Sequence, residues 1–189
     1  MRKLVSLLAV SMLLAGCGAA SGGPPDSFTQ AVDAYATGDR TALHAAGESG
    51  RAVKAKLSDK TTAANICTTL SPAERREVFP ALIIDMLDKP TLMSMSESAR
   101  YVYFQAISKS FEDMQSLVSS IDTGCGGVTG AVSDISTLTA MRKVVMARET
   151  TWRHELEAEY GAQLTPRLEE ARKLLSRNGY RIPGGLSQY

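Results

Sequence analysis

Histidine and aromatic residues are scarce in this chain of 189 residues, which has two histidines and one tryptophan. Histidine is the commonest general acid or base in enzymes, so two copies leave little material for a catalytic centre. No serine lies in a Gly-x-Ser-x-Gly motif, and the glycine-rich segment 124–127 lacks the spacing and the lysine of a phosphate-binding loop. Paired-carboxylate chemistry stays open, but nothing marks one pair. We therefore expect no enzyme, no metal site and no cofactor.

The chain also lacks an excess of either charge and lacks long apolar runs. It has 21 basic and 20 acidic residues, which gives a formal net charge of +1. Nucleic-acid-binding proteins carry clustered basic charge, and anionic lipid attracts polybasic segments, so the balance argues against both kinds of electrostatic partner. A transmembrane helix needs about 20 apolar residues. No run reaches that length, so we expect no membrane-spanning helix.

The first 17 residues have the pattern of a lipoprotein signal. A basic start, Met1-Arg2-Lys3, precedes an apolar run over 4–15, and the run ends in Leu14-Ala15-Gly16-Cys17. This ending resembles the lipobox of bacterial lipoproteins. The resemblance implies that residues 1–16 are removed, that the Cys17 sulfur receives a diacylglycerol, and that the new amino group is acylated with a chain such as palmitate. The alternative is an ordinary signal peptide followed by an incidental cysteine.

The residue after Cys17 bears on the location of the mature protein. In lipoproteins of this class an aspartate there retains the protein in the inner membrane, and this chain has Gly18. The resemblance therefore implies an outer-membrane lipoprotein of the cell envelope that faces the periplasm. Two or three acyl chains hold a protein on a membrane stably, so the lipid on Cys17 is expected to be the membrane attachment.

Two further cysteines remain in the mature chain. Cys67 and Cys125 lie 58 residues apart, and two cysteines allow one intramolecular pairing. Disulfides persist outside the cytoplasmic membrane, and a loop of this length corresponds to about 4 kcal/mol in the chain-entropy model. We predict a Cys67–Cys125 disulfide. The alternative is two buried or free thiols.

Composition divides the mature chain into a tether, a helical domain and a tail. Small residues and prolines fill the segment that follows Cys17, so 17–26 is expected to be a flexible lipidated tether. Residues 27–179 have apolar positions at helical spacing and no long strict alternation, which predicts an all-α single bundle of six to seven helices. The segment 180–189 contains proline and glycine and is expected to be extended.

Caps and apolar spacing place the helices. Ser71-Pro72-Ala73-Glu74 is the clearest start signal, because serine, proline and glutamate stand at the spacing of a capping box. Pro80 should kink or divide the helix that follows, and Gly47 and Gly50 should weaken an earlier one. Ser96 should cap a long helix. The predicted ranges are 28–37, 40–57, 60–69, 72–87, 96–122, 131–160 and 166–177.

Two long helices are predicted to pack antiparallel. The ranges 96–122 and 131–160 are joined by the glycine loop 124–127, and each carries an apolar seam. The helix over 72–87 is apolar on all faces and is expected to be the central buried helix. The first seam contains Phe104, Ile107, Phe111, Met114, Val118 and Ile121; the second contains Ile135, Leu138, Met141, Val145, Trp152, Leu156 and Tyr160.

Three weak motifs have ordinary interpretations. Residues 31–43 faintly resemble half of a tetratricopeptide repeat, but no second copy follows 34 residues later, which favours a plain helical hairpin. His154-Glu155 begins like a zinc-protease motif, yet Ala158 stands where the second histidine is needed. Met93-Ser94-Met95 resembles the methionine pairs of envelope copper proteins, although methionine is also a common core filler. We interpret these as a hairpin, a solvated face and core methionines.

Charged residues are dense near the C-terminus. Because acidic and basic residues alternate there, we interpret them as ordinary helix-surface ion pairs. The residues concerned are Arg153, Glu155, Glu157, Glu159, Arg167, Glu169, Glu170, Arg172 and Lys173.

Two functions from different classes fit these observations. The first is an interaction protein: a lipid-anchored helical domain that assembles or escorts another envelope protein, or inhibits one. Small helical lipoproteins that escort secretion and pilus components are similar in this coarse sense, and no motif beyond residue 17 carries the likeness. The alternative is a carrier of a small apolar ligand or lipid, with the helix over 78–87 lining a cavity.

Overall fold

The computed structural model describes residues 26–57, 69–108, 111 and 128–180. These residues form helices joined by short turns, and no strand occurs among them. The structure is an all-α bundle, which confirms the fold class predicted from the sequence.

The helices are numbered here in chain order. A short 3₁₀ turn, Gly161–Gln163, joins the last two of them. Their bounds are α1 Asp26–Thr37, α2 Arg40–Ala46, α3 Glu48–Lys54, α4 Pro72–Leu87, α5 Pro90–Met93, α6 over 97–108, α7 Val128–Tyr160 and α8 Leu164–Arg177.

These bounds correct the prediction at several places. The single helix expected over 40–57 is two helices, because the chain breaks at Gly47 between α2 and α3. α1 begins at Asp26, which the sequence analysis assigned to the tether, and α7 and α8 begin two to three residues earlier than expected. Apart from Thr69, the predicted helix over 60–69 lies outside the described residues, as do the loop 124–127 and residues 112–122.

The start of α4 has the capping box that the sequence predicts. Ser71 Oγ accepts a hydrogen bond from the Glu74 N–H at 3.3 Å, and a Glu74 carboxylate oxygen accepts from the Ser71 N–H at 2.8 Å. α4 then runs without interruption through Pro80 to Leu87, so Pro80 does not divide the helix. The prediction of a buried helix holds for most of its apolar side chains. Val78, Phe79, Ala81, Ile83, Ile84 and Leu87 are buried, while Leu82 and Met86 are half-buried.

Four aromatic rings form the centre of the core. The Trp152 ring of α7 lies 5.5 Å from Tyr101 and 5.8 Å from Phe104, both of α6, and 6.0 Å from Tyr35 of α1. Edge-to-face pairs at such distances stabilise a core beyond the burial of apolar area. The single tryptophan of the chain thus joins three helices.

α6 and α7 pack antiparallel, as predicted. The Trp152 Nε1–H donates to Glu97 at 2.7 Å, and the Gln105 amide donates to Glu149 at 3.1 Å, so the residue numbers rise along one helix and fall along the other. Ile135 departs from its predicted seam, because it is 37% exposed. The other described seam residues are buried, apart from the half-buried Tyr160: Phe104, Ile107, Phe111, Leu138, Met141, Val145, Trp152 and Leu156.

Gly47, the N-cap of α3, and Gly50, within α3, are contact points with α4. A Cβ atom at Gly50 would lie 2.4 Å from the Ala81 Cβ, and one at Gly47 would lie 2.8 Å from the Ile84 side chain. The prediction that these glycines weaken a helix was therefore incomplete. Their missing side chains are what allow the backbones of α3 and α4 to approach.

The end of the domain includes one residue that was assigned to the tail. After α8, Asn178 caps the helix and Gly179 adopts a positive φ of 77°, as the Asn-Gly pair predicts. Tyr180 then returns to the bundle, where its ring lies 5.3 Å from that of Tyr103. The rest of the predicted tail, 181–189, lies outside the described residues, as do residues 1–25.

Candidate functional site

The residues that the sequence analysis assigned to lipidation and to a disulfide lie outside the described residues. These are Cys17, Cys67 and Cys125, and their roles stay predictions. Within the described part of the chain, no helix is both long and apolar enough to cross a membrane.

The weak metal motifs occupy ordinary positions. His154 is exposed on α7, and Met93 and Met95 are half-buried against the main core. Across residues 26–57, 69–108, 111 and 128–180, no group of three or more histidine, cysteine or acidic side chains could hold a metal ion.

A charged network surrounds the end of α4. Asp85 lies in its last turn and Asp88 is its C-cap, where no basic residue of α4 compensates them. Carboxylates at this end of a helix are unfavourable, because the helix dipole is negative there. Cations of α2 and α3 therefore face the end of α4, and Lys54 pairs with Asp85.

Asp88 is the centre of this network. Its side chain is only 7% exposed, and His44 Nδ1 lies 2.6 Å from one carboxylate oxygen. Arg51 reaches the same oxygen at 3.5 Å, and Arg40 lies 3.9 Å from the other. Every contact joins α2 or α3 to α4, which makes this network a clamp between helices.

A polar cleft of about 480 Å³ lies between the start of α6 and α8. Ser96, Glu97 and Ser98 contribute the α6 side, and Tyr160 contributes the end of α7. The Ser96 hydroxyl caps α6 by accepting from the Ala99 N–H at 3.4 Å, which agrees with the predicted cap. The positive end of the α6 dipole thus borders the cleft.

One face of α8 forms the opposite wall of the cleft. The helix buries Leu164, Leu168, Ala171 and Leu175 in the core. Its next face, at steps of three and four residues, turns toward the cleft. That face consists of Arg167, Glu170, Ala171, Leu174 and Arg177, with Lys173 beside it.

The three cations of the cleft have no carboxylate partner among the described residues. No described Asp or Glu oxygen lies within 4.0 Å of Arg167, Lys173 or Arg177. The prediction of ordinary ion pairs holds for Arg153, which pairs with Glu157 at 2.8 Å. It is wrong for Arg167 and Lys173, which make no ion pair within the described part of the chain although Glu170 lies three positions from each of them on α8.

The remaining polar groups of the cleft have defined roles. Glu97 is held by the Trp152 indole, and the Arg167 guanidinium lies 4.4 Å from the centre of the Tyr160 ring. The pKa of the Tyr160 phenol is raised, first by a side-chain hydrogen bond with Glu159, then by burial and by the Glu159 and Glu97 charges. The phenol therefore remains neutral. The two carboxylates of the cleft are Glu97 and Glu170.

Sequence reasoning missed this cleft for an identifiable reason. A single signal existed, since Arg167, Leu174 and Arg177 share one helical face with Glu170. In the sequence, this face of α8 looks like the exposed face of any charged surface helix. Only the position of its neighbour, the start of α6, shows that the face borders a cleft.

Comparisons of the chain with protein-family models, with curated proteins and with solved structures gave no match.

Proposed function

We propose that this chain is a bacterial lipoprotein, anchored through Cys17, whose helical domain binds another protein of the cell envelope. The role is assembly or escort of that partner, or its inhibition. The lipobox-like ending Leu14-Ala15-Gly16-Cys17 supports the anchor. Eight residues separate Cys17 from the first residue of α1, and a fully extended chain of that length spans at most about 30 Å. The domain therefore works close to the membrane surface, in reach of other anchored proteins.

The observation that carries the interaction role is the cleft between α6 and α8. It gathers three cations without carboxylate partners beside Leu174, a large apolar side chain that is 38% exposed. A cluster of arginine and lysine side chains without carboxylate partners in the same molecule can bind acidic groups of another molecule. These features favour a binding surface over a purely structural one.

The alternative, a carrier of an apolar ligand, receives less support. The helix expected to line a cavity is α4, and its side chains Phe79, Ile83 and Ile84 are at most 2% exposed within the core. The cleft is lined by none of α4 and has charged walls. Its character suits polar recognition better than the transport of an apolar molecule.

The anchor is tested by labelling growing cells with radioactive palmitate. We expect label on the wild-type chain and none on the Cys17→Ser variant. Label on Cys17→Ser, or none on the wild type, would refute lipidation at this residue.

The interaction role is tested by crosslinking in cells and then purifying the full-length protein from detergent-solubilised membranes. We expect one abundant partner, which is lost with the Cys17→Ser control because the domain is no longer held at the membrane. No partner above background, together with a co-purifying small molecule, would instead support the carrier.

A further inference from the structure

The volume of the cleft indicates how much of a ligand it can hold. One turn of α-helix with its side chains is 10–12 Å wide and 5.4 Å long, which corresponds to roughly 500 Å³. The cleft, at about 480 Å³, therefore holds the equivalent of three to four residues. A short extended segment of that length is therefore sufficient to fill the cleft.

The charges of the cleft select an acidic ligand. Arg167 and Arg177 stand at opposite ends of the α8 face, with Lys173 between them, and none has a carboxylate within 4.0 Å among the described residues. Elsewhere in the described chain Arg51, Lys54, Lys56, Arg148 and Arg153 have such partners, whereas Lys89, Lys143 and Arg172 also lack one. The cleft is distinguished because it gathers three such cations in one place. Arginine and lysine form their strongest hydrogen bonds with ionised carboxylates. The positive end of the α6 dipole adds to this preference.

The other groups of the cleft indicate that the acidic ligand is a peptide. Glu170 disfavours a compact anion such as phosphate, whose charge lies at one point, whereas an extended peptide can place its main-chain N–H groups on Glu170 and its carboxylates on the cations. Leu174, 38% exposed, offers an apolar contact for a neighbouring side chain. The Ser96 and Ser98 side chains complete a polar wall that can pair with peptide groups.

We infer that the cleft between α6 and α8 binds a short, extended, acidic segment of the partner protein, with acidic side chains on the α8 cations and an apolar one against Leu174. This inference rests on the proposed interaction role and assigns that role to one surface. Recognition of acidic motifs by clustered arginines and lysines is an established binding mode.

The test measures peptide binding by the full-length protein in detergent micelles, using fluorescence anisotropy. The probe is a fluorescein-labelled peptide, Gly-Glu-Leu-Asp-Leu-Glu, and its matched control is Gly-Gln-Leu-Asn-Leu-Gln. We expect the acidic peptide to bind about tenfold more tightly than the amide peptide, because the charge-assisted contacts are missing in the control. We also expect its affinity to fall with added salt. Equal affinities for the two peptides would overturn the inference.

Matched charge reversals locate the binding site. The double variant Lys173→Glu, Arg177→Glu should weaken binding of the acidic peptide by at least about tenfold. The control double variant Lys143→Glu, Arg172→Glu changes the net charge equally outside the cleft and should bind like the wild type. Equal losses in both double variants would overturn the inference. Thermal unfolding of both double variants shows whether either substitution affects folding. The neutral double variant Lys173→Gln, Arg177→Gln should lose an intermediate amount of peptide affinity.

Three further outcomes distinguish failure of this inference from failure of the proposed function. Vesicles that contain phosphatidylglycerol are the first competitor. If they displace the acidic peptide and bind more tightly than it does through Lys173 and Arg177, the ligand of the cleft is an anionic membrane and the inference of a peptide is wrong. A partner crosslinked in cells as efficiently by the cleft double variant as by the wild type would overturn the cleft assignment and leave the interaction role intact. Absence of any crosslinked partner, with peptide binding retained in micelles, would count against the interaction role alone.

Discussion

Tyr35 and Arg100 bind each other through two hydrogen bonds to the main chain, each 3.0 Å long. The Tyr35 hydroxyl donates to the Arg100 carbonyl oxygen, and Arg100 Nη1 donates to the Tyr35 carbonyl oxygen. The Tyr35 carbonyl lies in the last turn of α1, where carbonyls lack α-helical partners and the helix dipole is negative. Gly38, with φ 82°, leaves the space, because a Cβ there would lie 2.5 Å from Arg100 Nη1. This pair therefore joins the end of α1 to α6.

The first prediction concerns the Tyr35 hydroxyl. Burial raises the pKa of this phenol well above its ordinary value, so the group is a neutral donor at every pH of interest. Tyr35→Phe should lower the free energy of unfolding by about 1 kcal/mol, because a buried hydrogen bond is lost while the ring still packs. Urea denaturation measures the change. Tyr103→Phe is the matched control, because Tyr103 is also buried but contacts Tyr180 through its ring, and an equal loss there would contradict the assignment.

The second prediction concerns the approach of α3 to α4. In Gly50→Ala the new Cβ would lie 2.4 Å from the Ala81 Cβ and 3.0 Å from the Glu77 carbonyl oxygen. Overpacking costs more than the helix propensity that alanine adds, so we expect a net loss of about 1–2 kcal/mol in unfolding free energy. The exposed neighbour Ser49→Ala should stay within about 0.5 kcal/mol of the wild type.

A double-mutant cycle identifies the cause of that loss. Adding Ala81→Gly to Gly50→Ala removes the contacting methyl group, so the two changes should cost less together than the sum of their separate effects. Simple additivity would show that the contact between these two residues is not responsible.

Local signals explain what the sequence could predict about this fold. The capping box needs only Ser71 and Glu74, three residues apart, and the structure contains it. The buried positions of α7, such as Trp152 and Leu156, follow from helical spacing alone. Such features depend on neighbours within one helix, so a linear pattern is sufficient to find them.

Features that depend on two helices escaped sequence analysis. Gly50 permits the close approach of Ala81, which lies 31 positions later in the chain. The sequence pattern indicated only that glycine weakens a helix, and it gave no sign of this contact. The candidate cleft depends on the start of α6 lying beside α8. The clamp at Asp88 did leave a readable signal, because a carboxylate at the C-terminal end of a helix requires compensation from elsewhere.

The third prediction concerns acid stability. Lys56 and the Ser71 main chain and hydroxyl lower the pKa of Glu74 from 4.5 to about 2. Because the pKa is lower in the folded state, this stabilisation is complete above the unfolded value and is lost as the pH falls from about 4.5 towards 2. Glu74→Gln should therefore flatten the decline of unfolding free energy over this interval. Lys56→Gln removes the largest cause and should flatten it partly, whereas an unchanged slope in Glu74→Gln would refute the assignment.

The fourth prediction concerns the cysteines. If Cys67 and Cys125 form a disulfide and Cys17 carries lipid, the mature protein has no free thiol. A thiol-specific reagent added to denatured, unreduced protein should then give no reaction, and two thiols should appear after reduction. Two free thiols before reduction would disprove the bridge. Reduction should also lower the unfolding free energy by up to about 4 kcal/mol, since the closed loop spans 58 residues.

The fifth prediction concerns the clamp at the end of α4. Asp88→Asn keeps the size of the side chain but removes the charge that attracts His44, Arg40 and Arg51. Loss of the attraction is partly offset by the helix dipole, which favours a neutral group here, and by the exposure of His44, which is 66%. We expect a net loss of about 1 kcal/mol in unfolding free energy, which should shrink at high salt.

Asp33→Asn provides the comparison for Asp88→Asn. Asp33 is 63% exposed and lies 3.7 Å from Arg148, so its removal should change stability by less than about 0.5 kcal/mol. The difference between the two variants isolates burial, because both lose one carboxylate that faces an arginine. Equal effects in urea denaturation at low salt would show that the buried position of Asp88 adds nothing, and the network would then be an ordinary surface ion pair.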